Sequence, residues 1–364
     1  MKLTSLPSKF KRIMFLLRRK GLRYTLNYIH LHLFFGTKNP FLLKLLYWLE
    51  PYPSYLEIEV TTRCPLKCII CERTYWQEAN RDMSFQEFKN IIDQFPKLKW
   101  IGLTGIGESF ANKDFLKMLR YVKGKNIFVE LYDNFFLIDA RVARELIEMG
   151  IDKIFISLDA ATKETYEKIR VGSNFERVID NLNDFFRLKR EMKAHFPEIS
   201  FHYIVNSLNL QEIPQYIDLV HSLVPKGKPT IKFTRMLHEF PEVKGLFVEI
   251  PKEIIEKTER KAESLGINLD WSADVPSAKP KIQKCAEWTM PFIFVTGHVI
   301  PCCAGNEAGN REFQKKTALG NVFEKSFQEI WRGQKYNALR KTLSQGRVPL
   351  PCQNCCLYET GTKK

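Results

Sequence analysis

Three cysteines within eight residues, Cys64-Pro65-Leu66-Lys67-Cys68-Ile69-Ile70-Cys71, constrain this chain more than any other stretch. They follow Leu56-Glu57-Ile58-Glu59-Val60, whose alternation predicts a strand that delivers the thiols into a loop at its C-terminal end. Three thiolates are one short of closing a tetrahedral site, so a metal centre held here keeps one position for another ligand. Chemistry is expected at that position. Six of the chain's nine cysteines cluster at metal-ligand spacings (64/68/71 and 352/355/356) and are not spread through a disulfide framework. That pattern favours metal over disulfides and a reducing, cytoplasmic compartment.

From residue 54 the sequence alternates between two periods. Apolar runs suited to strands fall at 55–60, 99–104, 127–132, 153–158, 200–205 and 230–236. Helical patterns lie between and after them at 84–95, 112–123, 139–149, 162–169, 175–193 and 210–223. Such alternation predicts right-handed βαβ units and an α/β class built on a parallel sheet. Six units fall short of the eight of a closed barrel, so a partial (β/α)6 barrel is expected, with ligands at the C-terminal strand ends. The organisation read from these patterns is a helical segment (1–53), a core (54–238), a connector (239–284) with one helical pattern near 252–265, and a C-terminal module (285–364).

Cys64-x3-Cys68-x2-Cys71 after a first strand, inside that six-fold alternation, resembles the radical S-adenosylmethionine (radical SAM) superfamily. Gly105-Ile106-Gly107-Glu108 resembles the family's glycine-rich glutamate motif, Ser157-Leu158-Asp159 its Ser-x-Asp segment near the ribose, and Arg170 an arginine that often follows. The resemblance implies a 4Fe–4S cluster on Cys64, Cys68 and Cys71. It also implies SAM contacts from Gly105, Gly107, Glu108, Ser157, Asp159 and Arg170, with Glu108 accepting from the methionine ammonium and Arg170 offering a planar donor fork to a carboxylate. Reductive cleavage of SAM would then give a 5′-deoxyadenosyl radical that abstracts hydrogen from a substrate C–H bond. Three positions depart from the family pattern. Ile70 stands where an aromatic is common, Ser109 follows the glutamate, and Tyr132-Asp133-Asn134-Phe135 replaces a Thr-Asn-Gly segment. Zinc, with a fourth ligand from elsewhere, is the alternative occupant of the triplet.

The C-terminal module resembles the SPASM and twitch domains of that superfamily. Cys285-x11-Gly297-x4-Cys302 and Cys352-x2-Cys355 imply one auxiliary 4Fe–4S cluster on those four cysteines, with Cys303 and Cys356 as adjacent alternates and a zinc ribbon as the competing reading. Phe323, Phe327, Trp331 and Tyr336 are expected in the core of this module, within an amphipathic helix around 325–342. His195, His202, His221, His238 and His298 form no His-x3-His pair and are expected at the surface or in the core. Tyr203, Asn206, Phe233 and Arg235 lie on late strands whose ends are expected to line a substrate cavity, and Asp133 and Asn134 are expected either to face SAM or substrate or to cap a helix.

The net charge of +15 is concentrated at the start: residues 1–50 hold ten lysines and arginines and one acid. On a helical wheel Arg12, Arg19, Arg23 and His30 share a stripe opposite Phe10, Met14, Leu17, Tyr24, Tyr28, Leu31 and Phe35. No uncharged run reaches the ~18–20 residues that span a bilayer, and cations recurring through the apolar stretch argue against a secretory leader. Residues 8–49 are therefore expected to lie on an anionic membrane surface at the inner face; a collar packed on the chain's own barrel, or a helix for a partner protein, are the alternatives. This segment favours a membrane-associated lipid or lipid-linked substrate, with a peptide or protein side chain as the alternative. A non-catalytic iron–sulfur electron carrier is a further alternative, against which Glu108, Ser157, Asp159 and Arg170 argue, since electron transfer needs no such pocket. Charge interleaved with long aliphatics fits nucleic acid poorly. A small electron donor of flavodoxin or ferredoxin type is the partner implied.

Overall fold

The computed structural model describes residues 6–34, 39–225, 227–236, 240–271, 280–306 and 311–360. Two helices, α1 (Leu6–Phe34) and α2 (Pro40–Leu49), precede a sheet whose centre is seven parallel strands. These are β1 (Tyr55–Ile58), β2 (Trp100–Leu103), β3 (Phe128–Asp133), β4 (Lys153–Ser157), β5 (Glu198–Val205), β6 (Thr230–Arg235) and β7 (Asn268–Trp271). The helices between them are α3 (Phe85–Asp93), α4 (Phe115–Gly124), α5 (Ala140–Glu148), the pair α6 (Lys163–Ile169) and α7 (Phe175–Glu191), α8 (Ile213–Leu223) and α9 (Lys252–Leu265). Side-chain caps start several of them: Ser84 and Glu87 form a capping box on α3, and Asp139, Thr162 and Asn174 cap α5, α6 and α7. Each cap satisfies a backbone N–H that has no partner within its helix.

All six expected strands and their helices are present. The seventh strand lies in what the sequence suggests is a connector. Asn268-Leu269-Asp270-Trp271 is a short edge strand with polar alternate positions, so its apolar signal is weak. It pairs with β6, and Trp271 stacks on Phe233 at 4.4 Å.

The C-terminal module is joined to the same sheet. It contains β8 (Phe292–Ile293), β9 (His298–Ile300) and β10 (Gly320–Asn321), with α10 (Cys303–Asn306), α11 (Arg311–Lys316), α12 (Phe327–Arg332) and α13 (Gln334–Ser344). The strand order is β10-β9-β8-β1-β2-β3-β4-β5-β6-β7, and β8 pairs in parallel with β1. The expected helix at 325–342 is two helices meeting at Gly333. Phe327, Trp331 and Tyr336 are fully buried as expected, and Trp331 stacks on Trp288 at 5.8 Å, whereas Phe323 is exposed. Gly297 (φ 81°) turns β8 into β9, where a Cβ would lie 2.3 Å from the Asn321 side chain.

The N-terminal helices pack on the protein. Phe35 and His238 lie outside the described residues, as does the Leu31 side chain. Arg12 pairs with Glu198, Lys20 with Asp152 at 2.9 Å, and Tyr24 donates to Asp152 at 3.0 Å. Non-helical backbone at Gly21 breaks α1, so one continuous wheel does not describe it. Arg12 turns to the barrel while Arg19 and Arg23 stay exposed. α2 buries Leu43 and Leu46 in the core and donates a hydrogen bond from Tyr47 to the Cys285 carbonyl at 3.0 Å.

Candidate active site

The cysteine loop leaves β1 and is held by backbone on both sides. Lys67 N and Ile69 N donate to Val171 O and Ile169 O at 2.8 and 2.9 Å, beside the end of α6. Thr74 Oγ1 donates to Cys68 O at 2.7 Å, and Arg73 Nε to Thr62 O at 2.6 Å. Cys64, Cys68 and Cys71 all line one cavity of about 510 Å³ at the C-terminal ends of the strands. Burial pushes the Cys68 and Cys71 thiols up to about 11, with nearby Arg170 opposing the rise, and it raises Cys64 as well. Buried thiols of this kind become thiolates when metal charge is supplied beside them. Among the described residues no three His, Cys, Asp or Glu side chains close on a point as they do around a single ion.

The glycine-rich loop after β2 packs against the start of the cysteine loop. A Cβ on Gly107 would lie 2.2 Å from the Thr61 carbonyl oxygen, and Glu108 N donates to Arg63 O at 2.7 Å. Gly105 is crowded by the Glu59 side chain in the same way. The sequence suggests these glycines let backbone approach a ligand; the structure shows them also making room for protein. Their loop brings Glu108 into the cavity wall beside Asp133 and Asn134 from the end of β3. Asn134 Nδ2 donates to Glu108 Oε2 at 2.5 Å, and Phe135 N to Asp133 Oδ1 at 2.6 Å. Glu108 Oε1 and Asp133 Oδ2 are buried with no hydrogen-bond donor. Burial, then the neighbouring Asp133 carboxyl, holds Glu108 well above the usual carboxylate range; burial raises Asp133 too. Two facing buried carboxyls demand a shared proton or a cation. The ammonium of a bound ligand would be one such cation.

Ser157 and Arg170 line the same cavity, whereas Asp159 is fully buried behind them. Asp159 accepts from Arg170 Nε at 2.8 Å and from Ile204 N at 2.7 Å, so it aims the guanidinium and ties β4 to β5. Its position is that of a support for Arg170 rather than part of the cavity wall.

In the C-terminal module Cys302 is buried, and burial, then the neighbouring thiols of Cys303, Cys285, Cys352 and Cys355, hold its thiol well above the ordinary range. Burial pushes Cys352 up to about 12 and Cys285 higher still. Cys303 and Cys356 differ from that set in lining the main cavity. Cavity lining alone distinguishes the two alternates, since Cys303 is also close enough to Cys302 to act on its thiol.

Strand parity corrects the substrate side. Tyr203 and Phe233 face outward and pack with Tyr216 in the helical layer, and Asn206 is buried in hydrogen bonds of its own loop. The cavity wall is instead built from Glu57, Tyr132, His202, Lys232 and Thr234, together with Arg235. His202, far from being an incidental core histidine, shares a 2.7 Å hydrogen bond with Thr234 Oγ1. The signal was present in Ser200-Phe-His-Tyr and Thr230-Ile-Lys-Phe-Thr, where polar residues occupy every second position and so share a face.

Comparison with known proteins bears on this arrangement. Residues 58–220 match the model of the Radical SAM superfamily, and residues 285–356 match SPASM, an iron–sulfur cluster-binding domain. The chain thus carries a radical SAM domain followed by a SPASM domain. This radical SAM enzyme is 26% identical over 328 residues to the tungsten-containing aldehyde ferredoxin oxidoreductase cofactor-modifying protein of Pyrococcus furiosus, covering 84% of this chain and 88% of that one. It is 22% identical to the PqqA peptide cyclase of Granulibacter bethesdensis, covering 84% and 80%. Among solved structures it shares the fold of Streptococcus suis SuiB bound to S-adenosylmethionine, with a TM-score of 0.64 at 16% identity over 97% of this chain and 82% of that one. Its cofactors are accordingly SAM and 4Fe–4S clusters, and the donor set fits them. Three thiols line the cavity beside two carboxyl oxygens that lack donors, and four more cysteines stand in the SPASM domain.

Proposed function

We propose that this radical SAM enzyme modifies a side chain of a peptide or protein. The bound cluster and SAM supply a 5′-deoxyadenosyl radical able to take hydrogen from an unactivated C–H bond. In this reading Cys64, Cys68 and Cys71 hold the cluster, Glu108 and Asp133 take the methionine ammonium, and Arg170, aimed by Asp159, meets a carboxylate. Cys285, Cys302, Cys352 and Cys355 hold the auxiliary cluster. The reductant is a small carrier of flavodoxin or ferredoxin type.

The observation that carries the peptide reading is the set of charged and titratable side chains that β1, β5 and β6 bring into the cavity. Glu57, His202, Lys232 and Arg235 place both signs of charge in the cavity. Burying an isoprenoid or acyl chain against such groups would strip them of water without replacing their hydrogen bonds. Peptide backbone and side chains can replace them. The relative named as a peptide cyclase lends further support. The lipid substrate suggested by the basic N-terminal segment loses its main argument, because α1 is anchored through Arg12 and Lys20 at the strand ends remote from the cavity.

The test is 5′-deoxyadenosine formation by the reduced, cluster-loaded enzyme with SAM, supplied separately with peptide, lipid and small-molecule fractions of the host. Stimulation by the peptide fraction, lost after protease treatment, is expected. Stimulation by the lipid fraction alone, or by the small-molecule fraction alone, would overturn the reading.

A further inference from the structure

Packing α1 and α2 on the protein accounts for only part of their composition. Their inner side is spoken for: Arg12, Lys20 and Tyr24 meet Glu198, Asp152 and Phe128. Their outer side is not polar. Of the thirteen exposed large hydrophobic side chains among the described residues, seven fall in these two helices. Trp48 is 78% exposed, Phe41 73%, Phe10 64% and Leu22 63%. Interleaved with them are five exposed cations, Lys11, Arg18, Arg19, Arg23 and Lys44. Between residues 6 and 49 there is no aspartate or glutamate. A surface made only to be solvated would carry both signs of charge and fewer large apolar groups.

We infer that the outer side of α1 and α2 docks this enzyme on an anionic lipid surface. Apolar and cationic groups together, without a single acid, complement a headgroup layer of negative charge over an acyl boundary, and Trp and Phe are suited to that boundary. A protein partner would need an extended acidic surface that is also apolar. A bilayer provides both as a matter of course. No helix among the described residues is long and apolar enough to cross a membrane, so the contact is peripheral.

The placement of α1 sets the orientation. Glu198 and Phe128 begin β5 and β3, and Asp152 precedes β4, so α1 lies under the N-terminal ends of the strands. The cysteine loop and the cavity lie at the opposite, C-terminal ends. At ~3.3 Å per residue, the eight residues of β5 separate the two levels by about 25 Å. On a membrane the enzyme would therefore keep its cavity away from the lipid. A substrate arrives from the aqueous side, which is compatible with a peptide and does not depend on one.

The experiment is vesicle flotation of the full-length, cluster-loaded enzyme. The probes are phosphatidylcholine vesicles with and without about 30% phosphatidylglycerol, each at ~50 and ~500 mM salt. Flotation with the anionic vesicles at low salt, weakened at high salt, is the expected result. Triple charge reversal (Arg18→Glu, Arg19→Glu, Arg23→Glu) and, separately, Leu22→Ser with Trp48→Ser should each reduce the floated fraction at least about tenfold. Iron content and SAM cleavage without added substrate should be unchanged in both, since none of these residues touches the cavity. Failure to float at low salt, equal flotation with neutral vesicles, or variants that still float would each overturn the inference. So would a stable dimer by sedimentation that Trp48→Ser dissolves, which would assign the face to a second copy of the chain.

Discussion

The most informative residues are the two carboxyls that face each other across the glycine-rich loop. Glu108 and Asp133 are buried, burial raises the proton affinity of both and Asp133 raises that of Glu108 further, and each keeps one oxygen without a donor. An arrangement that costs stability in the empty protein is worth keeping if a cation completes it. Glu108→Gln therefore has two opposed outcomes. Thermal unfolding of the ligand-free protein at neutral pH should move upward, because an amide needs no proton uptake to be buried beside Asp133. SAM affinity of the cluster-loaded protein, by equilibrium dialysis, should fall about 10- to 100-fold, the range for a lost charge-assisted hydrogen bond. Cys64, Cys68, Cys71 and Glu108 were legible before any fold was known, since the donor chemistry and its spacing are local. Lys232 and His202 were not. Which side of a strand faces the cavity depends on register with its neighbours, and the apolar faces of β5 and β6 drew attention to Tyr203 and Phe233 instead.

Between elements, the decisive link is Arg311 on α11. It is 5% exposed, meets Glu59 Oε2 at 2.5 Å and Glu78 Oε2 at 2.7 Å, and lies 3.9 Å from the centre of the Phe294 ring. Glu59 in turn accepts from Ile106 N at 3.1 Å, inside the glycine-rich loop. One guanidinium thus ties the SPASM domain to the end of β1, to the segment after the cysteine loop, and through Glu59 to the loop that carries Glu108. Arg311→Ala leaves Glu59 buried without its cation and should cost about 3–5 kcal/mol of stability, measured by denaturant unfolding. Burial already raises Glu59 despite Arg311, and the substitution raises it further. The folded variant then holds a proton that the unfolded chain has released, so its stability falls as pH rises from the ordinary carboxylate range through the raised Glu59 value. The deficit should be larger at pH ~8 than at pH ~5. Nothing in local sequence pairs Glu59 with a residue 252 positions away.

For the whole molecule, two cysteine sets on one continuous sheet predict two clusters with separable fates. The loaded protein should hold about eight irons, and Cys302→Ser about four, with SAM cleavage at the first site retained. Cys303→Ser and Cys356→Ser, which alter the cavity wall and not the four proposed ligands, should keep about eight. Loss of iron in either, measured beside the Cys302 variant, would return that cysteine to the auxiliary ligands. The SPASM domain should stay folded onto the core in all of them, since β8 is hydrogen-bonded to β1. Sequence alone determined the α/β alternation, the cysteine triplet, the glutamate after the glycines and the charge of the first fifty residues. Those signals are carried by periodicity, ligand type and composition, which need no distant partner. Only tertiary structure decided the seventh strand, the sharing of one sheet by both domains, the placing of Cys303 and Cys356 in the cavity wall, and which cations of α1 are consumed by the barrel. Each of these depends on contacts between residues far apart in the chain, where many pairings are chemically possible and packing selects one.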